Sequence, residues 1–286
     1  MQVAANAKIN LVLRVLEREP GGYHQIETIF QRLALADDIT VGVTDGDCTL
    51  DLEWPDSRPA WLGTAEKNLA WRAAAAYRDA AGWPKGWHIR LAKRIPAGAG
   101  LGGGSADAAA VLRALDTLAN RPLGAPALHA IAEGIGSDVP FFISDASRAV
   151  GRGRGNLLTA LAPLPAADVV LVVPGFSIPT AEAYAQLAVA RSRARIAPPT
   201  AVFRDGDDFS TWRAIADRQA NHFEATVFGM YPELEAYKDM LDRAGATIAR
   251  LSGSGSTVFG LWPSESPRRA DILAPPQSRI LVTSTA

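Results

Sequence analysis

Residues Pro96-Ala-Gly-Ala-Gly-Leu-Gly-Gly-Gly-Ser105 put five glycines into seven consecutive positions, with the alanine-rich stretch 106–119 directly behind. Inside a helix each glycine would cost about 1 kcal/mol relative to alanine, so the run reads as a loop. A glycine loop offers positive φ angles and bare amides that no Cβ shields. A helix starting behind it adds unpaired N–H groups and the positive end of its dipole. Together these make a cradle for an anion, and in an intracellular chain the commonest such anion is a nucleotide phosphate. The alternative is a flexible linker. Leu101 within the run, the helix former after it and the strand-like Trp87-His-Ile-Arg-Leu91 before it weaken that alternative.

Two familiar phosphate-loop patterns do not fit. A Walker A loop ends in Gly-Lys-Ser/Thr, whereas Gly104 is followed by Ser105-Ala106. Gly98-x-Gly100-x-x-Gly103 meets the dinucleotide fingerprint literally, but no acidic residue ends a second strand about 20 residues on. The extended run Pro96-x-Gly-x-Gly-Leu-Gly-Gly-Gly-Ser-Ala-Asp-Ala-Ala109 instead resembles the central motif of the GHMP kinase superfamily. Asn6-Ala-Lys-Ile-Asn-Leu-Val-Leu13 and Leu251-Ser-Gly-Ser-Gly-Ser-Thr-Val-Phe259 resemble two further motifs of that superfamily, in the same order. Gly21-Gly-Tyr-His-Gln-Ile-Glu-Thr28 and Gly136-Ser-Asp-Val-Pro-Phe-Phe142 resemble the branch whose alcohol acceptor carries a cytidine diphosphate. The likeness spans residues 4 to 262.

The resemblance implies ATP, with Mg²⁺, as phosphoryl donor and a small cytidyl alcohol of isoprenoid precursor synthesis as acceptor. Pro96, Ala97, Gly98, Ala99, Gly100, Leu101, Gly102, Gly103, Gly104, Ser105 and Ala106 become the ATP loop, and Asn68 and Lys93 match positions lining the adenine pocket. Lys8 matches the catalytic lysine, although periodicity alone makes it an edge-strand lysine with a solvated head. Asp138 matches the carboxylate that faces the acceptor hydroxyl, although an aspartate before Val139-Pro140 also suits a helix cap. A carboxylate beside a lysine stays ionised and can take a proton; if the transition state is loose, orienting the alcohol matters more. Ser105 could offer its hydroxyl to Mg²⁺ or phosphate, or cap the helix. No other protein ligand for a metal is expected. By resemblance Tyr23 stacks on the cytosine, His24 bonds its edge and Tyr184 covers the other face, with Asn10 and Thr180 nearby. Three departures stand out: Asn6 for a usual proline, Leu251 for a common methionine, and His222 in Asn221-His-Phe-Glu224 where an aspartate is common.

Elements to position these residues can be read along the chain. Alternation over residues 3–16 predicts a strand with Ile9, Leu11, Leu13 and Val15 on one side and Lys8 and Asn10 on the other. Strands are expected at 25–35, 39–43, 50–54 (an edge) and 87–91, a proline loop at 55–59, and helices at 68–80, 106–119 and 125–133. Residues 139–143 open a further element. Residues 157–165 read as a boundary, 169–173 as a buried strand and 191–208 as an exposed polar loop. Helices at 211–227 and 232–245 and strands at 247–251, 257–262 and 279–283 follow. Strands followed by a strand–loop–helix unit argue for an α+β fold rather than a repeating βαβ sheet. The resemblance implies the two-domain GHMP kinase architecture, ribosomal-protein-S5-like over 1–160 and ferredoxin-like over 161–286.

The 286 residues, 48% hydrophobic and 21% charged with a net charge of −1, suit a globular protein with no pull toward nucleic acid or anionic membranes. Arginine far outnumbers lysine, so each retained lysine (Lys8, Lys67, Lys85, Lys93, Lys238) gains interest. One cysteine, Cys48, excludes an internal disulfide framework and a cysteine zinc site. No basic-then-apolar leader opens the chain and no apolar run nears the roughly 20 residues that span a bilayer, so a soluble cytoplasmic protein is expected. A weak homodimer is compatible with the resemblance. Rival readings are a mevalonate- or homoserine-type GHMP kinase and a nucleotide-binding homologue that has lost catalysis. The Tyr23-His24 loop opposes the first, and the intact Lys8 and Asp138 oppose the second.

Overall fold

The computed structural model describes residues 1–55, 63–199, 203–204, 206–218, 220–266 and 272–286. The chain forms two compact units that interleave in sequence: Met1–Ala7, Leu35–Ala97 and Gly102–Asp145 make the first, and Lys8–Ala34, Gly98–Leu101 and Ala146–Ala286 the second. Two long strands, β1 (Gln2–Arg18) and β2 (His24–Thr44), each contribute to both units. The single cut at residue 160 drawn from the sequence does not follow this interleaving.

In the first unit the later part of β2 pairs antiparallel with β4 (Gly86–Ala92), and β4 pairs in parallel with the edge strand β3 (Cys48–Glu53). Trp87, Ile89 and Leu91 alternate inward from β4, with Ile39 and Val41 from β2. Among its described residues the unit has four α-helices: α1 (Leu69–Ala81), α2 (Gly103–Leu118), α3 (Ala125–Ile135) and the short α4 (Val139–Ile143). Alanines 70, 73, 74, 108, 109 and 114 are all buried, which lets α1 and α2 approach closely. β2 is one strand where two were expected. Asp37 and Asp38 lie in the gap between the two expected strands, but Asp37 is wholly buried among partners and Asp38 is paired with Arg94.

In the second unit the early part of β2 pairs with β5 (Arg148–Arg152), which pairs with β6 (Leu157–Ala160). Residues 157–160 are therefore strand rather than connection. A separate antiparallel sheet has the order β10-β7-β9-β8, from β7 (Ala167–Pro174), β8 (Ile248–Leu251), β9 (Val258–Pro263) and β10 (Ser278–Ser284). Counted from β7, this is the 4-1-3-2 order of a ferredoxin-like sheet. Between β7 and β8 run α5 (Thr180–Ala194), α6 (Trp212–Ala216), α7 (Glu224–Met230) and α8 (Pro232–Arg243). They bury Leu187, Phe223, Val227, Leu234 and Leu241 with Val170, Val172, Leu251 and Trp262. The expected polar loop at 191–208 begins as the end of α5, and the helix expected at 211–227 is broken where Asn221 pairs with Leu13 of β1. Of the expected proline loop, residues 56–59 lie outside the described residues. No helix among the described residues is long and apolar enough to cross a membrane.

Candidate functional site

The glycine loop joins β4 to α2. Gly98, Gly100 and Gly102 have φ of 66°, 79° and 73°, values that residues with a Cβ rarely adopt. α2 begins at Gly103, three residues earlier than expected, with Gly102 as its left-handed N-cap. Two glycines are thus tolerated in the first turn, and close packing requires the first of them: a Cβ on Gly103 would lie 2.9 Å from Ile95 Cγ2. The first helical bond runs from Ala106 N to Gly102 O (2.9 Å), which leaves the amides of Gly103, Gly104 and Ser105 facing out of the helix end. Ser105 sits inside the first turn and is not the N-cap.

The C-terminal serine–glycine motif braces this loop in the second unit. Ser252 Oγ donates to Gly100 O (2.9 Å), and Thr257 N donates to Ala99 O (3.2 Å). A Cβ on Gly100 would run into the Ser252 carbonyl and stand 2.9 Å from Gly255 O.

Lys8 is 4% exposed, and its head is not solvated. β1 is buried on both faces over most of its length, so alternation there does not separate core from water. Lys8 Nζ donates to Asn10 Oδ1 (2.6 Å) and to Gly100 O (3.0 Å), and lies 5.8 Å from the Phe30 ring centroid. Asn10 Nδ2 in turn donates to Thr28 Oγ1 (2.8 Å), whose hydroxyl donates to Val12 O (2.7 Å). Both ends of the Asn10 amide are therefore engaged, and the side chain orients the ammonium. Backbone and side chain together dock Lys8 on the loop, since its N–H bonds Leu101 O (3.0 Å). Asp138, in the first unit, is half-buried just before α4 and makes no side-chain capping bond, so the capping role is not what this aspartate performs.

The aromatic residues of the second unit are arranged differently from the expected sandwich. Tyr23 is 57% exposed, with the Arg154 guanidinium 4.0 Å from its ring centroid. Glu19 holds that guanidinium through Oε2 at 2.6 and 3.0 Å. His24 stacks on Tyr184 with centroids 4.7 Å apart and planes 16° from parallel, and Phe223 meets Tyr184 edge-on at 4.9 Å. One face of each tyrosine is thus occupied from within the protein. Burial, then Arg18 and Arg191, push the His24 imidazole below its usual range, so at neutral pH it presents one donor and one acceptor. Thr180 Oγ1 lies 3.1 Å from Ser254 Oγ, linking α5 to the serine–glycine motif.

Asn68 caps α1, accepting from Ala70 N (2.9 Å). Lys93 is buried, and its ammonium bonds Asp37 and Asp107 Oδ2 (2.6 Å). Burial alone would lower the lysine, but Asp107 and Asp37 outweigh it and the net shift is upward. Burial raises the Asp107 carboxyl despite Lys93, to about 7, with Asp37 adding repulsion. His222, the departure from the usual aspartate, accepts at Nδ1 from Val15 N (3.0 Å) and lies 3.0 Å from Arg191 Nη2, which also bonds Val15 O (2.7 Å). It joins β1 to α5 rather than supplying acid. Asn221 beside it donates to Leu251 O and Gly253 O, both at 2.8 Å. Sequence reasoning did not single out Asp37, Asp107, Thr28, Arg154, Ser252 or Ser254. For the two serines the quoted motif was the available signal, and for the aspartates the rarity of lysine around Lys93.

Comparison with known proteins gives the family. Residues 68–145 match the family model of the GHMP kinases N terminal domain, and residues 203–274 that of the GHMP kinases C terminal region. The chain belongs to the GHMP kinase family and is an ATP-dependent phosphotransferase. It is 45% identical over 263 residues to the 4-diphosphocytidyl-2-C-methyl-D-erythritol kinase of Solibacter usitatus (strain Ellin6076), covering 90% of this chain and 80% of that one. It is 40% identical over 286 residues to the protein of the same name from Pelotomaculum thermopropionicum, covering 98% and 96%. A crystal structure of 4-(cytidine 5'-diphospho)-2C-methyl-D-erythritol kinase superposes with a TM-score of 0.75 at 33% identity, over 100% of this chain and 99% of that one.

Proposed function

We propose that this kinase transfers the γ-phosphoryl group of ATP to the 2-hydroxyl of 4-diphosphocytidyl-2-C-methyl-D-erythritol, a cytoplasmic step of the non-mevalonate route to isoprenoid precursors. The observation that carries the reading is likeness over nearly the whole chain to kinases named for that substrate. The exposed Tyr23 and the neutral imidazole of His24 supply stacking and edge recognition suited to a pyrimidine. For the base to lie between Tyr23 and Tyr184, His24 must leave the face of Tyr184 and take the base edge.

In the reaction the substrate oxygen bonds Pγ as the bond from Pγ to the β-bridging oxygen breaks and ADP leaves. The hydroxyl proton passes to Asp138 or to solvent, depending on how late the alcohol loses it. Lys8, held on the Gly100 carbonyl, offsets charge on the moving phosphoryl group. The amides of Gly103, Gly104 and Ser105 receive phosphate oxygens, and Asn68 and Lys93 stand on the nucleotide side, Lys93 by position because its ammonium is engaged. Mg²⁺ bound with ATP would neutralise phosphate charge, and the half-buried Ser105 hydroxyl is the side chain we place beside the phosphates to hold it. ADP release with 4-diphosphocytidyl-2-C-methyl-D-erythritol beside mevalonate and homoserine tests the assignment. Turnover of the cytidyl substrate alone is expected; preferred turnover of either other alcohol overturns the substrate, and no turnover at all overturns the activity.

A further inference from the structure

We propose that Asp37, Lys93 and Asp107 form a buried clamp that ties together the two ends of the glycine loop and thereby sets the affinity for ATP. The inference rests on the loop being the ATP phosphate cradle. At the entry to the loop, Asp37 Oδ1 accepts from the amides of Arg94 and Ile95, the latter at 2.8 Å, and Asp37 Oδ2 takes the Lys93 ammonium. At the exit, in the second turn of α2, Asp107 Oδ2 takes the same ammonium at 2.6 Å. One lysine thus joins the strand that leads into the loop to the helix that leaves it. The first turn of α2 rides directly on it, since a Cβ on Gly103 would stand 3.4 Å from Lys93 Nζ.

Such a cluster is an expensive way to fill space. Two carboxylates face one ammonium where Lys93 is 7% exposed, Asp107 2% and Asp37 not at all. Asp107 Oδ1 is buried without a hydrogen-bond partner. Apolar side chains of similar volume generally pack such a site at no loss of stability, so a charged cluster calls for a positional reason. Here that reason is adjacent: a run of glycines has the most backbone freedom to lose on binding, and fixing both of its ends removes part of that cost beforehand. Lys93 and Asp107 are then positioning residues, acting on ATP through the loop without touching it.

The test compares Lys93→Met, Asp107→Leu and the conservative Asp107→Asn, which keeps an acceptor for Lys93. Hydrogen exchange of the amides at 98–105 is measured in the unliganded protein, with KM for ATP and for 4-diphosphocytidyl-2-C-methyl-D-erythritol and the thermal midpoint. For Lys93→Met and Asp107→Leu the clamp predicts faster loop exchange and an ATP KM raised about tenfold, the equivalent of about 1.4 kcal/mol, with the other KM nearly unchanged. Asp107→Asn should restore most of both properties, and if one of the other two variants fails to fold, the remaining one carries the test against it. A lowered midpoint with wild-type loop exchange and ATP KM overturns the proposal, as does faster exchange with no change in ATP KM. If the wild-type protein turns over ATP with none of the three alcohols, the kinase reading fails instead, and loop exchange with ATP calorimetry in place of KM still decides the clamp.

Discussion

Replacing Lys8 by methionine removes the ammonium while keeping most of the stem, and the two consequences can be sized separately. Gly100 O keeps a donor, because Ser252 Oγ also bonds it, whereas Asn10 Oδ1 loses its partner in a buried site. One buried unsatisfied acceptor costs about 1–3 kcal/mol. For a chain of this size that lowers Tm by roughly 2–4 °C per kcal/mol and leaves the protein folded at 25 °C. Loss of one preorganised electrostatic group typically costs about 10²–10³ in rate. Single-turnover phosphoryl transfer at saturating ATP and cytidyl substrate separates that loss from any change in binding. Asn10→Ala takes away one of the groups that aim the ammonium and leaves Gly100 O, so a smaller loss is expected. A rate near wild type in Lys8→Met refutes the catalytic role, and a loss in Asn10→Ala equal to that in Lys8→Met refutes the idea that Gly100 O also holds the lysine.

Lys8→Met and Asp138→Asn should be non-additive in single turnover, the double variant little slower than the worse single one, whereas additive losses would separate the two residues. Tyr23→Ala should raise KM for the cytidyl substrate and spare KM for ATP. Arg154→Ala should do the same more weakly, because it frees the tyrosine without removing it; equal effects on both substrates would point to misfolding. Gly103→Val places a branched side chain against Ile95 and the Lys93 ammonium and should abolish ATP binding by calorimetry while circular dichroism stays native. Because the folded Asp107 carboxyl is raised to about 7, facing Lys93 and Asp37, the folded state holds a proton there that the unfolded chain releases above about pH 4. That contribution to stability falls as pH rises from about 4 to 7 and is level above, so Asp107→Asn should gain Tm on the wild type across that window. A pH-independent difference between the two proteins would show that Asp107 does not titrate there.

What the sequence disclosed follows from which interactions are local. The glycine loop was legible because its conformational demand is written into consecutive residues, and the strands of the C-terminal sheet because they are apolar runs bounded by turns, while their ferredoxin-like order was implied by the family resemblance. Alternation failed at Lys8 for a definable reason: β1 is covered on both faces, so its polar positions mark a site rather than a solvent side. The gap left between the strands expected at 25–35 and 39–43 is bridged in β2, where Asp37 meets tertiary partners, one a lysine 56 residues away. The helix expected across 211–227 shares that history, since Asn221 spends its amide on Leu251 and Gly253 and its backbone on β1.

The same distinction orders the candidate site. Lys8, Tyr23, His24 and the loop stood out through motifs, whereas the groups that hold them are visible only once the chain is folded. Asn10 and Thr28 aim the lysine, Arg154 and Glu19 steady the tyrosine, Ser252 and Thr257 bond the loop's carbonyls, and Lys93 joins Asp37 to Asp107. Apart from Asn10, two residues from Lys8 on the same side of β1, each of these supports is a bond between residues distant in sequence and imposes no local pattern that periodicity or spacing could register. Phosphoryl transfer depends chiefly on positioning and electrostatics, and these supports decide whether a charge is held within reach of the moving group or merely present. Lys93 illustrates the consequence: its position was noticed as part of a nucleotide pocket, but its ammonium is committed to two carboxylates, and its influence on ATP runs through the backbone it restrains.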